Sequence, residues 1–370
     1  MQAGVPSARS LSFVMLLLAA FQIAVFFFVL QQTAVTTPFG DAVQWIEQYT
    51  AFRANGDLLH YLIAPHNEHR PITIRVLAGL DAEVFGGRGF AFIGAALASV
   101  VGIIALVLRE MRRDGHLSLS RGAMLAISLV LTVPMAVDCS IPANTIFPLT
   151  IFFAMAALVL AMRSHMLTAI ALGLLATFTN AGGLAVWPAL LWISFTRADW
   201  TWCSLLLAIT AAVGAIFLLA TPHTQRYEAH SLWDLVTYWP SFVGLPWSRL
   251  PALQVPAALF GGGVFVAAGA LAAHLRRGDD LQAIAIAFVL FSLGCSFMAA
   301  IARSGMHEPY PAVRYSIFLL PAHLALLFLV LRRKWLSEPA AIALMAVLVV
   351  QQVLSGYMAL HTARSIGLPI

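Results

Sequence analysis

Apolar runs, most of them of roughly 18 or more residues, recur along the whole 370-residue chain, the pattern of membrane-spanning helices. They are Leu11–Leu30, Gly89–Leu108, Ala123–Ala136, Phe147–Met162, Cys203–Ala220, Gln254–Leu275, Leu281–Ile301, Ser316–Leu331 and Pro339–Met358. A further run, Leu167–Phe195, is interrupted by TNAGG at Thr179–Gly183 and predicts two short helices meeting at that break. The third run should bend at Pro134, because proline removes a helix hydrogen bond. A membrane barrel would show weak alternating segments of about ten residues instead. The expectation is therefore an all-α, polytopic helical bundle with about eleven transmembrane helices. Leu11–Leu30 is too long for a signal-peptide core and no A-x-A-like site follows it, so it reads as a retained first helix.

Three polar stretches interrupt this pattern: 31–88, 221–253 and 302–315. The first carries the longest polar segment, Phe39–Phe85, with six of the sixteen acidic residues: Asp41, Glu47, Asp57, Glu68, Asp81 and Glu83. Within it, Asp41–Arg53 and Pro71–Phe85 read as amphipathic interfacial helices. Asp41 with Gln44 matches a capping box. Ile74, Leu77, Leu80 and Val84 form the expected apolar stripe of the second helix.

Composition agrees. With 61% hydrophobic and 10% charged residues, the chain falls far below the roughly 25% charge of a soluble globule. The net charge of +5 comes from arginines scattered over short loops, which form no nucleic-acid-binding face. If the spans alternate, Arg109/Arg112/Arg113, Arg163, Arg197, Arg276/Arg277 and Arg332/Arg333/Lys334 fall on one side. By the positive-inside rule that side is cytoplasmic, which places the N-terminus inside and all three polar stretches, with TNAGG, outside. No period-based repeat is present. The three cysteines (Cys139, Cys203, Cys295) form no C-x-x-C pair and support neither a disulfide framework nor a thiolate metal site.

Ionisable groups gathered at a bilayer point to function. Asp41, just past the first span, could act as a general base on a hydroxyl or ligate a divalent cation; as a helix cap it would be structural. HNEHR at His66–Arg70 places His66, Glu68, His69 and Arg70 within five residues. Arg70 precedes Pro71 at an expected helix start, where free N–H groups favour an anion. The alternative is a hydrogen-bonded cluster that only fixes the loop. The spacing lacks H-E-x-x-H, which disfavours a zinc-protease reading. Arg303 and Arg314, flanking the last polar stretch with Tyr315, could grip a phosphate or snorkel to headgroups. Asp41, Glu68 and His66 are the metal-ligand candidates, with the metal itself unknown.

These features resemble the GT-C superfamily of polyprenyl-phosphate-dependent membrane glycosyltransferases. The carrying residues are Asp41 opening the first outer loop, the two amphipathic segments, HNEHR, and the late Arg314–Tyr315 pair. HNEHR also looks like a signature of bacterial membrane proteins of this general type. The resemblance implies an inner-membrane protein that moves a sugar, with inversion, from a polyprenyl-phosphate donor to a lipid, glycan or protein acceptor on the extracytoplasmic face. It implies Asp41 as base or metal ligand and Arg314 as a donor-phosphate contact; Glu68, in HNEHR, is the second catalytic candidate. A transporter or flippase of a lipid-linked or anionic solute, or a non-catalytic accessory subunit of envelope-glycan synthesis, is the alternative.

Overall fold

The structure, a computed structural model, describes residues 8–36, 40–66, 69–115, 119–220, 231–244, 279–303, 313–332, 334 and 337–365, with a few positions between 259 and 270. Glu68, most of 221–253 and the run Gln254–Leu275 largely lie outside the described residues.

Every regular element among the described residues is helical. Helix α1 (Ala8–Thr33) is followed by three short helices of the first loop: α2 (Asp41–Asn55), α3 (Leu58–Ile63) and α4 (Ile72–Phe85). The bundle continues with α5 (Phe90–Asp114), α6 (Leu119–Val130), α7 (Val133–Ser140), α8 (Ile146–Met162), α9 (Met166–Thr177), α10 (Val186–Thr196), α11 (Trp200–Ala220) and α12 (Leu232–Gly244). It ends with α13 (Asp280–Arg303), a 3-10 segment Val313–Leu319, α14 (Leu320–Arg332) and α15 (Glu338–Ser365). Among the described residues seven helices are long and apolar enough to cross a membrane, or eight when α6 and α7, bent by 52°, count as one span. Helices α9 and Ala181–Thr196 are shorter apolar pieces.

Helix α8 is apolar all round and almost wholly buried, as a helix without a polar face must be. Helices α1, α11 and α15 show large side chains such as Phe13, Leu207 and Val350 on the outside, a surface that suits lipid. No water is available to open backbone groups inside a bilayer, so each helix break needs internal partners. At the α6–α7 bend, Gln22 Nε2 donates to the Ser128 carbonyl at 2.6 Å and Gln352 Oε1 accepts from Val133 N at 2.5 Å. The bend falls at Leu131–Thr132, with Thr132 capping α7 and Pro134 inside its first turn.

The α9–α10 break is the expected TNAGG element. Thr179 Oγ1 donates to the Leu175 carbonyl at 2.7 Å, and Gly183 N to the Asn180 carbonyl at 2.8 Å. A Cβ at Gly183 would lie 2.2 Å from the Ala176 carbonyl oxygen, so only glycine lets the chain fold back so closely.

The first loop corrects two expectations. Asp41 is not the cap of α2: Gly40 holds that position with φ 57°, and no side chain caps the helix. The buried stripe of α4 is Ile74, Arg75, Ala78 and Asp81, while Val76, Leu80 and Val84 are exposed. An interfacial helix inverts the usual rule, since its apolar side can face lipid while its polar side is held by protein. Asp81 accepts from Gly89 N at 2.7 Å and Ala91 N at 2.8 Å, satisfying donors at the start of α5 where an anion is favoured. Arg75 is fully buried. Its guanidinium donates to the carbonyls of Leu62 and Ala64 and to Gln48 Oε1 at 3.1 Å, and burial lowers its pKa from the usual arginine value.

Candidate functional site

Four links from distant parts of the sequence close around one cavity of about 360 Å³. The first loop supplies Asp41, Trp45, His66 and His69; the α7–α8 link supplies Asn144; the α9–α10 break supplies Thr179 and Asn180; Tyr315 comes from the 3-10 entry to α14. This volume lies at the lower end of the range for small-molecule sites, about 300–1,000 Å³.

The first loop is positioned by backbone pairing. His66 N donates to the His69 carbonyl at 2.8 Å and His69 N to the His66 carbonyl at 2.9 Å, which locks the two histidines together. His66 is buried, its ring edge-on to Trp45 with centroids 5.6 Å apart. Trp45 in turn stacks on Phe92 of α5. The His66 Nε2 lies 3.5 Å from Asp41 Oδ2, and the Asp41 side chain is half exposed. Asp41 therefore stands at the first turn of α2 with one oxygen beside an imidazole and its side chain reaching the cavity.

Across the cavity, His69 Nδ1 accepts from Ala181 N at 3.3 Å. That bond ties HNEHR to the TNAGG break and fixes Nδ1 as the unprotonated nitrogen. Thr73 N also reaches the Phe178 carbonyl at 3.4 Å. From the far side, Cys295 Sγ meets the Gly182 carbonyl at 3.0 Å. Tyr315 packs edge-on to Phe147, 5.6 Å between centroids, and stacks with Phe242 of α12.

The remaining sequence candidates separate. Arg70 does not line the cavity; its guanidinium donates to the Ile63 carbonyl at 2.5 Å. Helix α4 starts at Ile72 with Pro71 in the cap position, and Pro71 itself touches the cavity. Arg314 lies in the 3-10 segment and Arg303 ends α13, and both side chains are outside the described residues, as is Glu68. Among the described residues no three His, Cys, Asp or Glu side chains gather to hold a metal ion. Of the candidate ligands, Asp41 and His66 are the two that the described residues bring side by side. Asn180 belongs to the TNAGG break, whereas Asn144 was not singled out by sequence, DCSIPANT reading only as a link between spans.

No family model matches the chain, and no curated protein matches it. Among solved structures it is similar to ArnT from Cupriavidus metallidurans, crystallised with undecaprenyl phosphate, at TM-score 0.51 and 18% identity. The match covers 90% of this chain and 62% of ArnT. At that identity the likeness is one of fold: the chain has an ArnT-like fold of membrane helices.

Proposed function

We propose that this protein is a membrane glycosyltransferase that takes a sugar from a polyprenyl-phosphate donor to a lipid, glycan or protein acceptor at the extracytoplasmic face of a bacterial inner membrane. The observation that carries the reading is the single cavity joining Asp41 and the two loop histidines to links from three other parts of the bundle. The lipid bound in the ArnT crystal supports a polyprenyl-phosphate partner. The orientation rests on the arginine-rich links at the opposite end of the bundle.

In this reading Asp41 takes the proton of the acceptor hydroxyl as that oxygen bonds to the anomeric carbon. The bond from that carbon to the phosphate oxygen breaks, and its electron pair leaves with the polyprenyl phosphate. His66, beside Asp41 Oδ2, holds the carboxylate in place. Arg314, one residue before Tyr315, is the proposed phosphate contact.

Asp41→Asn tests this directly. Since Gly40 occupies the cap position, the change leaves α2 intact, while loss of a general base is typically worth about a hundredfold to ten-thousandfold in rate. Sugar transfer by purified protein in lipid should fall by that factor with the melting temperature unchanged. Near-normal turnover would remove Asp41 from the chemistry.

A further inference from the structure

Two asparagines on the cavity wall have their amide orientation fixed by protein partners, in opposite senses. Asn144 Nδ2 donates to Asp138 Oδ1 at 3.0 Å, and Asp138 is buried at the end of α7. A carboxylate only accepts, so the NH2 arm of Asn144 is committed to Asp138 and its carbonyl Oδ1 is the arm left for the cavity. Asn180 is the reverse. Its Oδ1 accepts from Gly182 N at 2.8 Å, a backbone N–H can only donate, and the Nδ2 arm remains. Both residues line the same cavity.

We infer that Asn144 and Asn180 form a sugar-hydroxyl subsite, in which one hydroxyl donates to Asn144 Oδ1 and a hydroxyl oxygen accepts from Asn180 Nδ2. The inference rests on the glycosyl-transfer reading and names the part of the substrate this wall reads. Hydroxyls both donate and accept, so neighbouring sugar hydroxyls satisfy two amides of opposite sense. A phosphate has only acceptors and would meet the Asn144 carbonyl and the Asp41 carboxylate. A cation would suit Asn144 and Asp41, but the NH2 group of Asn180 would face it. Asp138 is then a positioning residue: it acts through Asn144, by denying it the flipped orientation. Sites built to hydrogen-bond a hydroxyl discriminate strongly, because a missing or misplaced group leaves a buried partner unpaired.

The test uses the full chain in lipid nanodiscs. Binding of bare polyprenyl phosphate is measured beside a panel of polyprenyl-phosphate hexoses that are epimers of one another. Methyl hexosides are run in parallel by saturation-transfer NMR. At least one sugar-bearing lipid should bind tighter than the bare lipid. Asn180→Asp and Asp138→Asn should each reduce that increment by roughly five- to tenfold, the worth of one hydrogen bond, with bare-lipid affinity within about twofold. Asp138→Asn is isosteric and frees Asn144 to flip. The exchange variant Asp138→Asn/Asn144→Asp restores an internal bond and an acceptor facing the cavity, and should recover the increment; a purely structural Asp138 would give no such rescue of sugar preference. Variants that keep the full increment overturn the subsite while leaving the glycosyltransferase reading intact. If the wild type binds no polyprenyl phosphate, that reading fails, and the subsite is decided by the methyl hexosides. Their signal must appear in the wild type and vanish in Asn180→Asp, and its absence overturns the subsite.

Discussion

Where α8 ends, Arg163 stands between Glu110 and Asp280, and Arg332 pairs with Asp279 at 2.5 Å and Asp114 at 3.5 Å. Where α8 begins, Asn144 and its neighbours face a cavity, and their partners are mostly backbone groups or a single side chain. The two ends of one bundle thus treat polar groups differently. At the ion-paired end, charges from α5, α8, α10, α13 and α14 neutralise one another and hold helix ends together. Cations there sit at helix C-termini and Asp280 at the start of α13, the arrangement that the helix dipole favours. At the cavity end, Asn144 and Asn180 each commit one amide arm to the fold, and in the proposed subsite the other arm meets a sugar hydroxyl. The first end is a clamp and the second the proposed site.

Breaking the clamp should give the largest loss of stability. Glu110 is buried, and among the described residues Arg163 is its one partner and its second oxygen meets no donor. Arg163→Met strands that carboxylate, and removal of one partner from a buried pair costs about 3–5 kcal/mol. Arg163→Met/Glu110→Leu replaces the pair with apolar groups and should recover most of the loss in a thermal melt. If the single variant melts like wild type, the charged end is not a clamp.

Arg75 sharpens the contrast, because it is a buried cation at the cavity end held largely by neutral oxygens. Hydrogen bonds to a charged group are worth about 1.5–3 kcal/mol, so Arg75→Leu should destabilise the protein by about that much. It should also loosen the segment before His66, since Leu62 and Ala64 lose their donor. Protease cleavage within the first loop should therefore rise in Arg75→Leu and stay flat in Arg163→Met. Equal cleavage in the two variants would mean the ends are not independent.

Much of the architecture was legible because membrane spans are written locally. The apolar runs, the TNAGG break, the bend at the third run and the helical first loop are all properties of contiguous sequence. The cavity was legible where chemistry was unusual in type: Asp41, His66, His69 and Tyr315 all reach it. Arg75 and Asp81 were hidden because a search for an apolar stripe on α4 assumes an aqueous outside. Asp138 and Asn144 were hidden for another reason: their meaning lies in a contact between a helix end and the following 3-10 turn, and in a wall shared with residues far along the chain. The arginine asymmetry was read as topology alone, though several of those arginines also pair with Glu110, Asp114, Asp279 and Asp280.

The smallest effect is expected on the outer surface of the first loop, where an ion pair resembles the clamp in form but not in setting. Arg53 Nη1 lies 2.6 Å from Glu83 Oε1, and Tyr49 Oη donates to the same oxygen at 2.5 Å. Both charged side chains are exposed, and exposed pairs contribute little because water screens them. Arg53→Ala should leave the melting temperature unmoved, whereas the Tyr49 ring, packed against Gly79, continues to join α2 to α4. The bond to Glu83 raises the Tyr49 phenol above its ordinary value. A raised phenol pKa means that the folded state favours the protonated form. Its contribution is therefore complete below the unfolded-state phenol pKa and is lost as pH climbs through the raised value. Glu83→Gln should bring the phenol back down in an ultraviolet titration and erase that alkaline loss. If Arg53→Ala instead destabilised the protein as much as Arg163→Met, burial would not be what separates a clamp from a surface pair.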